Sequence, residues 1–493
     1  MVFSSLAFLF LFLPLVLLAH TALMARTGKA APGRVSVSTA NLLLLATSLL
    51  FYVWGEGWLV WILLASSAVD FAAGLGIERA GWRSEGERAR AARRWLAVSI
   101  ASNLAFLGYF KYLGFGLDAL RDLSGNDALF ANVADVALPL GISFYTFQSM
   151  SYTIDVYRGA VPATRRPLDF ACYVAMFPQL VAGPIVRYVQ VSQELLSRRL
   201  DLPRFAWGLR RFVLGLAKKV LVANTLSVIA DAAFESAPAE LSAPAAWLGL
   251  LAYTFQIYFD FSGYSDMAIG LGALFGFRFP ENFAWPYAAR SIQDFWRRWH
   301  ISLSTWFRDY LYFSLGGSRR GTAITARNLL LVFLLCGLWH GASWNFVLWG
   351  LLHGGFLAME RVGFARVLTR APSVLRHAYV LLVVMLAWVL FRADDLPAAL
   401  DYFGALVAGG GTLGALRPLL TPSVIVAFAV GAVACTGWPT HALERLRARP
   451  ALASTFARGL DSLLSLGVCV ALALLSTALL FQGASNPFIY FRF

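Results

Sequence analysis

Histidine is the side chain here with the clearest chemistry, because a neutral imidazole can take a proton from a hydroxyl and return it to a leaving group. The chain has six histidines in 493 residues. His340 ends the apolar run in LLLVFLLCGLWHGASWNF, residues 329–346. An ionisable side chain inside a membrane helix costs roughly 2 to 3 kcal/mol and usually faces a cavity or a partner. We therefore predict that His340 is a general base; the alternative is a structural hydrogen bond to a neighbouring helix.

Two further histidines lie in unusual surroundings. His300 occurs in RRWHISLS and His353 in LWGLLHGGF. If residues 340–353 formed one helix, His353 would lie about 3.6 turns after His340 and face a different direction. That spacing, together with the absence of H-E-x-x-H, predicts no catalytic metal.

The sequence lacks the common nucleophile and nucleotide motifs. There is no G-x-S-x-G elbow, no P-loop and no dinucleotide-binding glycine fingerprint. The four cysteines are single residues in apolar surroundings, with no C-x-x-C pair. We therefore expect no bound cofactor and no covalent serine intermediate.

Two acidic residues within YFDFSGYSDMAIG favour a different function. Asp260 and Asp266 fall in an apolar, aromatic stretch. Carboxylates inside a membrane often belong to a proton or cation pathway, which would make the chain a transporter. The alternative is that they hydrogen-bond Ser, Tyr or backbone groups. No inverted repeat, expected in many transporters, is visible.

These residues must be positioned by membrane helices. The chain is 59% hydrophobic and 14% charged, whereas soluble domains are roughly 25% charged. Stretches such as 3–24 and 463–481 approach the roughly 20 apolar residues that a spanning helix needs. We predict an all-α polytopic membrane protein with about ten to twelve membrane elements, some of them short or broken.

The net charge of +14 is explained by membrane topology and does not indicate that the protein binds nucleic acid. Loops 26–34, 78–94 and 158–167 are rich in Lys and Arg, whereas 118–135 carries four Asp and one Arg. Because basic loops stay in the cytoplasm, the pattern predicts a multi-pass membrane protein with its N-terminus outside and its first basic loop inside.

Two segments do not fit simple spans. Residues 169–190 contain Pro178, Gly183 and Pro184 and have arginines at both ends, which predicts a re-entrant segment beside a cavity. Residues 278–328 are rich in Arg, Trp and Tyr, and their apolar pieces are too short to span, which predicts interfacial helices.

Several long blocks carry a family resemblance. They are FWRRWHISLSTWFRDYLYFSLGGSRRG (295–321), GLWHGASWNFVLWGLLHG (337–354), LPLGISFYTFQSMSYTIDVYRG (138–159) and FPQLVAGPIVRY (177–188). The chain thereby resembles the membrane-bound O-acyltransferase (MBOAT) family, and especially its bacterial branch in alginate O-acetylation. The likeness is clearest over 105–493. It implies one integral membrane domain over 1–493, a helical bundle around a central tunnel.

The resemblance also implies residue roles. His340 matches the membrane-embedded family histidine, and His300 matches the polar position that accompanies it. Acetyl-CoA from the cytoplasm and a hydroxyl from outside would meet at His340. A cationic donor mouth would attract the phosphates of the donor, although topology and lipid headgroups also account for such arginines. The candidates are Arg297, Arg298, Arg308, Arg319 and Arg320.

The terminal FIYFRF fits F-x-Y-x-x-F and resembles the tail of a small partner in D-alanyl transfer systems. Tyr490 is therefore a possible acyl relay; an aromatic interface anchor is the alternative.

The expected function is membrane O-acetylation of an exported or envelope polysaccharide, with a periplasmic SGNH (esterase-like) acetyltransferase and the polysaccharide synthesis machinery as partners. Cellulose, peptidoglycan and D-alanyl transfer stay open as alternatives, as does the transporter.

Overall fold

The computed structural model describes residues 2–27, 34–81, 85–125, 136–237, 240–448, 455–483 and 489. Within these ranges every regular element is a helix. The predicted all-α class is confirmed. The topology-setting loops at 26–34 and 118–135 fall largely outside the described residues.

Seven helices among the described residues are long and apolar enough to cross a membrane, or eight if one bent pair forms a single span. Ten to twelve such elements are predicted from the sequence. The numbers differ because several apolar stretches form helices of only 9 to 16 residues. The seven are Phe8–Ala25, Val37–Ala80, Ala89–Ser124, Leu202–Phe234, Thr322–His340, Ser373–Arg392 and Asp461–Phe481.

The chain divides into two compact units, and the first comprises Met1–Leu209 and Ala268–Pro280. The prediction of a single domain stays a prediction. The first unit begins with a π-helical turn at Phe8–Phe12. Its helices are α1 (Leu13–Thr27), α2 (Arg34–Glu56), α3 (Val60–Ala80), α4 (Glu85–Leu107), α5 (Leu113–Ser124), α6 (Ile142–Tyr157), α7 (Pro167–Ala175), α8 (Phe177–Leu180) and α9 (Tyr188–Leu196).

The second unit comprises Arg210–Met267 and Glu281–Phe493. Two helices, α10 (Leu202–Ala217) and α12 (Ala243–Leu274), contribute residues to both units. The others are α11 (Asn224–Phe234), α13 (Ile292–Trp296), α14 (Ile301–Trp306), α15 (Thr322–His340), α16 (Trp344–Met359), α17 (Ala365–Arg370), α18 (Ser373–Arg392), α19 (Leu396–Val407), α20 (Pro422–Ala434), α21 (Trp438–Arg447) and α22 (Thr455–Phe481).

The segment 169–190 is broken, as its prolines predict. α7 and α8 are too short to span, and no regular structure follows α8 until α9 begins. Almost all of the segment is buried. Side chains satisfy part of its freed backbone: the Phe177 N–H donates to Ser48 Oγ at 3.0 Å, and the Tyr173 hydroxyl donates to the Val186 carbonyl at 3.0 Å. Protein burial therefore provides the partners that irregular backbone needs in a membrane.

The Arg- and Trp-rich region forms short helices, as predicted. α13 has five residues, and α14 has six and continues into a π-helical turn at Phe307–Tyr312. α15 then runs as one long helix to its last residue, His340, and α16 packs against it.

Glycines set the close contact of α15 with α16. A Cβ added at Gly337 would lie 3.2 Å from the Gly350 Cα, and one added at Gly350 would lie within 2.3 Å of the Phe333 carbonyl oxygen. Only glycine allows the two backbones to approach this closely.

We predict that Gly350→Ala lowers the free energy of unfolding by about 1 to 3 kcal/mol, because its methyl group would force α16 away from α15. The measurement is thermal unfolding of the purified protein in detergent. Gly355→Ala is the matched control on the same helix, since a Cβ there meets no atom within 4 Å. Equal melting temperatures for the two variants would contradict the close contact.

Candidate functional site

His340 lies at the C-terminal end of α15, with 3% of its surface exposed. Three aromatic rings contact its imidazole: the centroids of Trp339, Trp349 and Phe391 lie 4.9, 5.0 and 5.1 Å away. The C-terminal end of a helix carries partial negative charge, which stabilises a cation placed there. The site therefore excludes water, and the helix end would stabilise a positive charge on His340.

Indole rings connect the three central histidines. The Trp339 ring contacts His340 and also lies 6.1 Å from the ring of His300. The Trp349 ring contacts His340 and lies 4.9 Å from His353. The second unit thus gathers His300, His340 and His353 into one aromatic cluster.

His300 is held in an uncommon backbone conformation. It precedes α14 with φ 44° and ψ 55°, a left-handed region that residues other than glycine seldom adopt. The side-chain oxygen of Asn282, Oδ1, stabilises this conformation. It accepts a hydrogen bond from the Ser302 backbone N–H at 3.1 Å and another from the Ser302 hydroxyl at 2.9 Å. The sequence analysis missed Asn282, because nothing in its local sequence marks it as a partner of a residue 18 positions away.

The same oxygen settles the tautomer of His300. Nδ1 of His300 lies 3.1 Å from Asn282 Oδ1, which can only accept. Nδ1 must therefore carry the proton, and in the neutral ring Nε2 carries the lone pair. His300 consequently presents a basic nitrogen at Nε2.

The structure corrects the sequence interpretation of His353. His353 was placed on the same helix as His340, but α15 ends at His340 and α16 begins at Trp344. The two histidines therefore lie on neighbouring helices, and both contact the indole of Trp349. The assumption of one unbroken helix, from which different directions for the two side chains were inferred, was wrong. The absence of a catalytic metal stays a prediction.

A cavity of about 850 Å³ adjoins this cluster. Its wall includes Trp296, whose ring lies 5.1 Å from His353, and Cys336, one turn before His340. Its one acidic lining residue, Glu360, accepts backbone N–H groups from Ile292 at 2.6 Å and Gln293 at 3.0 Å. The rest of its charge is positive. The arginines that line it are Arg290, Arg297, Arg308, Arg361, Arg366 and Arg376.

The predicted donor-mouth arginines are only partly in this cavity. Arg297 and Arg308 line it, whereas Arg298, Arg319 and Arg320 are not among its lining residues. Arg298 pairs with Asp294 at 2.8 Å. The sequence analysis missed the four other arginines. Three of these four, Arg361, Arg366 and Arg376, have a signal in the basic spacing of ERVGFARVLTRAPSVLR, residues 360–376, which directly follows α16, whereas Arg290 lies in the Arg- and Trp-rich region 278–328.

Asp260 and Asp266 are neutralised by cations of the protein. Asp260 pairs with Lys219 at 2.6 Å, and their side chains are 2% and 1% exposed. Asp266 pairs with Lys218 at 2.6 Å and with Arg211 at 2.6 Å. Neither carboxylate supports the transporter alternative, since both have fixed structural partners. The sequence suggested either an ion pathway or hydrogen bonds to Ser, Tyr or backbone groups, and neither alternative included the cations observed here.

The C-terminal tail reaches the same ion pair. The Ile489 backbone N–H donates to Asp260 Oδ2 at 2.9 Å, and Ile489 is buried. Tyr490, the predicted acyl relay, lies outside the described residues. The hydrogen bond to Asp260 fixes the tail at Ile489, the residue before Tyr490.

Comparisons with known proteins agree on one family. The model of the MBOAT, membrane-bound O-acyltransferase family, matches residues 38–394. A probable alginate O-acetylase AlgI of Azotobacter vinelandii is 47% identical over 411 residues, covering 83% of this chain and 79% of the relative. A probable alginate O-acetylase AlgI of Pseudomonas aeruginosa is 47% identical over 414 residues, covering 83% of this chain and 75% of the relative. A peptidoglycan O-acetyltransferase of Helicobacter pylori is 35% identical over 441 residues, covering 83% of this chain and 80% of the relative.

We predict that Lys219→Met lowers the free energy of unfolding by about 3 to 5 kcal/mol, because it leaves a buried carboxylate without its cation. The double variant Lys219→Met/Asp260→Leu should recover most of that loss, since it removes both charges. Thermal unfolding in detergent measures both. The control is Arg447→Met, whose pair with Asp461 is about half exposed (48% and 44%) and contributes at most about 1 kcal/mol. A Lys219→Met loss no larger than the control's would contradict a structural ion pair.

Proposed function

Since this chain belongs to the membrane-bound O-acyltransferase family and is therefore an integral membrane O-acyltransferase, we propose that it takes acetyl groups from cytoplasmic acetyl-CoA for O-acetylation of an exported or cell-envelope polysaccharide. Support for acetyl as the group comes from the names of its relatives. An alginate-like glycan is favoured over peptidoglycan, because the alginate O-acetylases share 47% identity and the peptidoglycan enzyme 35%.

The observation that carries the proposal is the arginine-lined cavity beside the histidine cluster. Coenzyme A bears several phosphate charges on a long, thin chain, and guanidinium groups bind phosphates through paired hydrogen bonds. The six arginines would hold the phosphates at the cavity mouth. The acyl end would extend along Trp296 and Cys336 toward His340.

His340 is the general base in this proposal. It takes the proton of the acceptor hydroxyl as the oxygen attacks the thioester carbon, and it returns that proton to the leaving thiolate. The negative end of α15 stabilises the intermediate imidazolium. His300 is the second catalytic residue in this proposal, because Asn282 Oδ1 holds its ring in the tautomer whose Nε2 carries the lone pair.

The remaining parts of the proposal concern location and delivery. We place the chain in the bacterial inner membrane with its N-terminus outside, as its basic loops predict. A periplasmic SGNH-type transferase would receive the acetyl group and pass it to the glycan. Tyr490 would relay the group outward, supported by the fixation of the preceding residue on Asp260.

We predict that His340→Ala abolishes acetylation, with a loss of at least about 100-fold in rate, because the hydroxyl loses its proton acceptor. Acetyl esters of envelope and secreted polysaccharides are measured in a deletion strain that carries wild type or variant. Immunoblots of membranes confirm equal abundance. The fraction that loses esters identifies the glycan. Full acetylation by His340→Ala would make this histidine structural, and full acetylation by Tyr490→Phe would remove the relay.

We predict that Arg361→Gln and Arg366→Gln each raise KM for acetyl-CoA about tenfold, the equivalent of one charge-assisted hydrogen bond of roughly 1.5 kcal/mol, with little change in kcat. Acetyl-CoA consumption by the purified protein in nanodiscs measures both constants. Arg319→Gln is the matched control, since Arg319 is outside the cavity lining. A KM increase for Arg319→Gln equal to that of the cavity variants would refute a cavity-specific donor site.

A further inference from the structure

One face of α16 carries a row of buried polar atoms whose partners are missing. Asn345, Trp349 and His353 are spaced four residues apart, so they lie on one side of the helix. Within the described part of the chain, Asn345 Oδ1, Trp349 Nε1 and His353 Nε2 have no hydrogen-bond partner. All three side chains are essentially buried, with exposures of 2%, 0% and 0%.

The protonation of His353 follows from its neighbour. The Trp296 indole N–H donates to His353 Nδ1 at 3.3 Å. An indole nitrogen can only donate, so Nδ1 must carry the lone pair and the neutral ring carries its proton on Nε2. This is the opposite tautomer to that of His300. Trp349 and His353 therefore each present a buried N–H donor.

Leaving a donor unsatisfied in a protein interior costs roughly 1 to 3 kcal/mol. Native structures contain few such groups, and each calls for an explanation such as a bound ligand. Here the two donors occur on rings whose centroids are 4.9 Å apart. The Trp349 ring also contacts His340 at 5.0 Å, and it contacts the cavity residue Trp296 at 5.7 Å. Trp349 thus contacts both the proposed base and a residue of the cavity wall, and His353 contacts the same wall residue, Trp296.

We propose that Trp349 Nε1–H and His353 Nε2–H bind the carbonyl oxygen of the acyl thioester and stabilise the oxyanion that forms during transfer. This inference rests on the proposed function, because it takes the donor to be a thioester and His340 to be the base. Asn345 Oδ1 is an acceptor and cannot stabilise an oxyanion, so it is not part of this pair.

The transfer step then balances as follows. The acceptor oxygen forms a bond to the carbonyl carbon while His340 takes the hydroxyl proton, and the carbonyl π electrons move onto its oxygen, facing the two N–H donors. When the carbonyl re-forms, the carbon–sulfur bond breaks, and the thiolate takes the proton from His340. Donors fixed before the reaction stabilise the oxyanion without reorganisation.

Trp349→Phe tests the proposal, because it removes the N–H and keeps an aromatic ring. Loss of one oxyanion donor lowers kcat by about 100- to 1,000-fold, and we expect KM for acetyl-CoA to rise by no more than about tenfold, from the loss of the ground-state carbonyl contact. The control is Trp388→Phe, which removes another buried indole, one that donates to Tyr287 Oη at 3.2 Å. His353→Phe should lower kcat in the same way. A kcat for Trp349→Phe equal to that of Trp388→Phe would overturn the proposal.

A second pair of measurements separates the hydrogen bond from packing. Replacing Trp349 by 3-benzothienylalanine keeps the bicyclic ring and exchanges only the N–H for sulfur. Calorimetry on protein in nanodiscs then compares acetonyl-CoA, a ketone that retains the carbonyl, with ethyl-CoA, which lacks it. We expect the substitution to weaken binding of acetonyl-CoA about tenfold, the equivalent of roughly 1.4 kcal/mol, and to leave ethyl-CoA unchanged. Equal effects on both analogues would overturn the carbonyl contact.

The outcomes also distinguish this inference from the proposed function. If wild type neither consumes acetyl-CoA nor binds either analogue, the proposed donor is wrong and the inference fails with it. If wild type is active while Trp349→Phe and the benzothienylalanine protein retain its kcat, the donor assignment stands and only the oxyanion site is overturned.

Discussion

Polar groups inside this protein depend on hydrogen-bond partners within the chain or on a bound ligand, because the membrane interior supplies no water to replace them. The structure meets this constraint with pairs that reach across the sequence. Lys219 neutralises Asp260, which lies 41 residues further along the sequence, and Asn282 binds His300, which lies 18 residues further along. The Ser48 hydroxyl accepts a hydrogen bond from the backbone N–H of Phe177, which lies 129 residues further along the sequence. The Lys219–Asp260 pair joins the π-helical turn after α10 to α12, and the Asn282–His300 pair holds the turn before α14, so a bond that makes burial tolerable also positions His300.

In the histidine cluster, hydrogen-bond partners within the chain determine which ring nitrogen carries the proton. His300 and His353 carry their protons on opposite nitrogens, because a carboxamide oxygen faces the first ring and an indole N–H faces the second. One therefore presents a base and the other a donor, although both are buried histidines among aromatic rings. His340 lies between them at a helix terminus, with Trp339 and Trp349 on its two sides.

Composition and periodicity predict the helical class, the broken segment at 169–190 and the short helices near 300, because these features depend on local properties such as apolar length and proline. The position of His340 at the end of an apolar run also marks it as a candidate. Partners distant in sequence leave no local signal, which explains why Asn282 and Lys219 were missed. The error at His353 has a specific cause: the helix break at Gly341–Ser343 lies inside an apolar stretch with no proline to mark it.

The left-handed backbone at His300 limits which side chains the position can accept during evolution. Glycine and asparagine adopt that conformation at little cost, whereas a β-branched residue or alanine strains it by roughly 1 to 2 kcal/mol. Loss of activity after an alanine substitution would therefore combine a distorted turn with the loss of the imidazole. Asparagine keeps the turn and removes the ring, so a lineage that drifts through asparagine would lose the imidazole while keeping its fold, and could regain histidine in a single step.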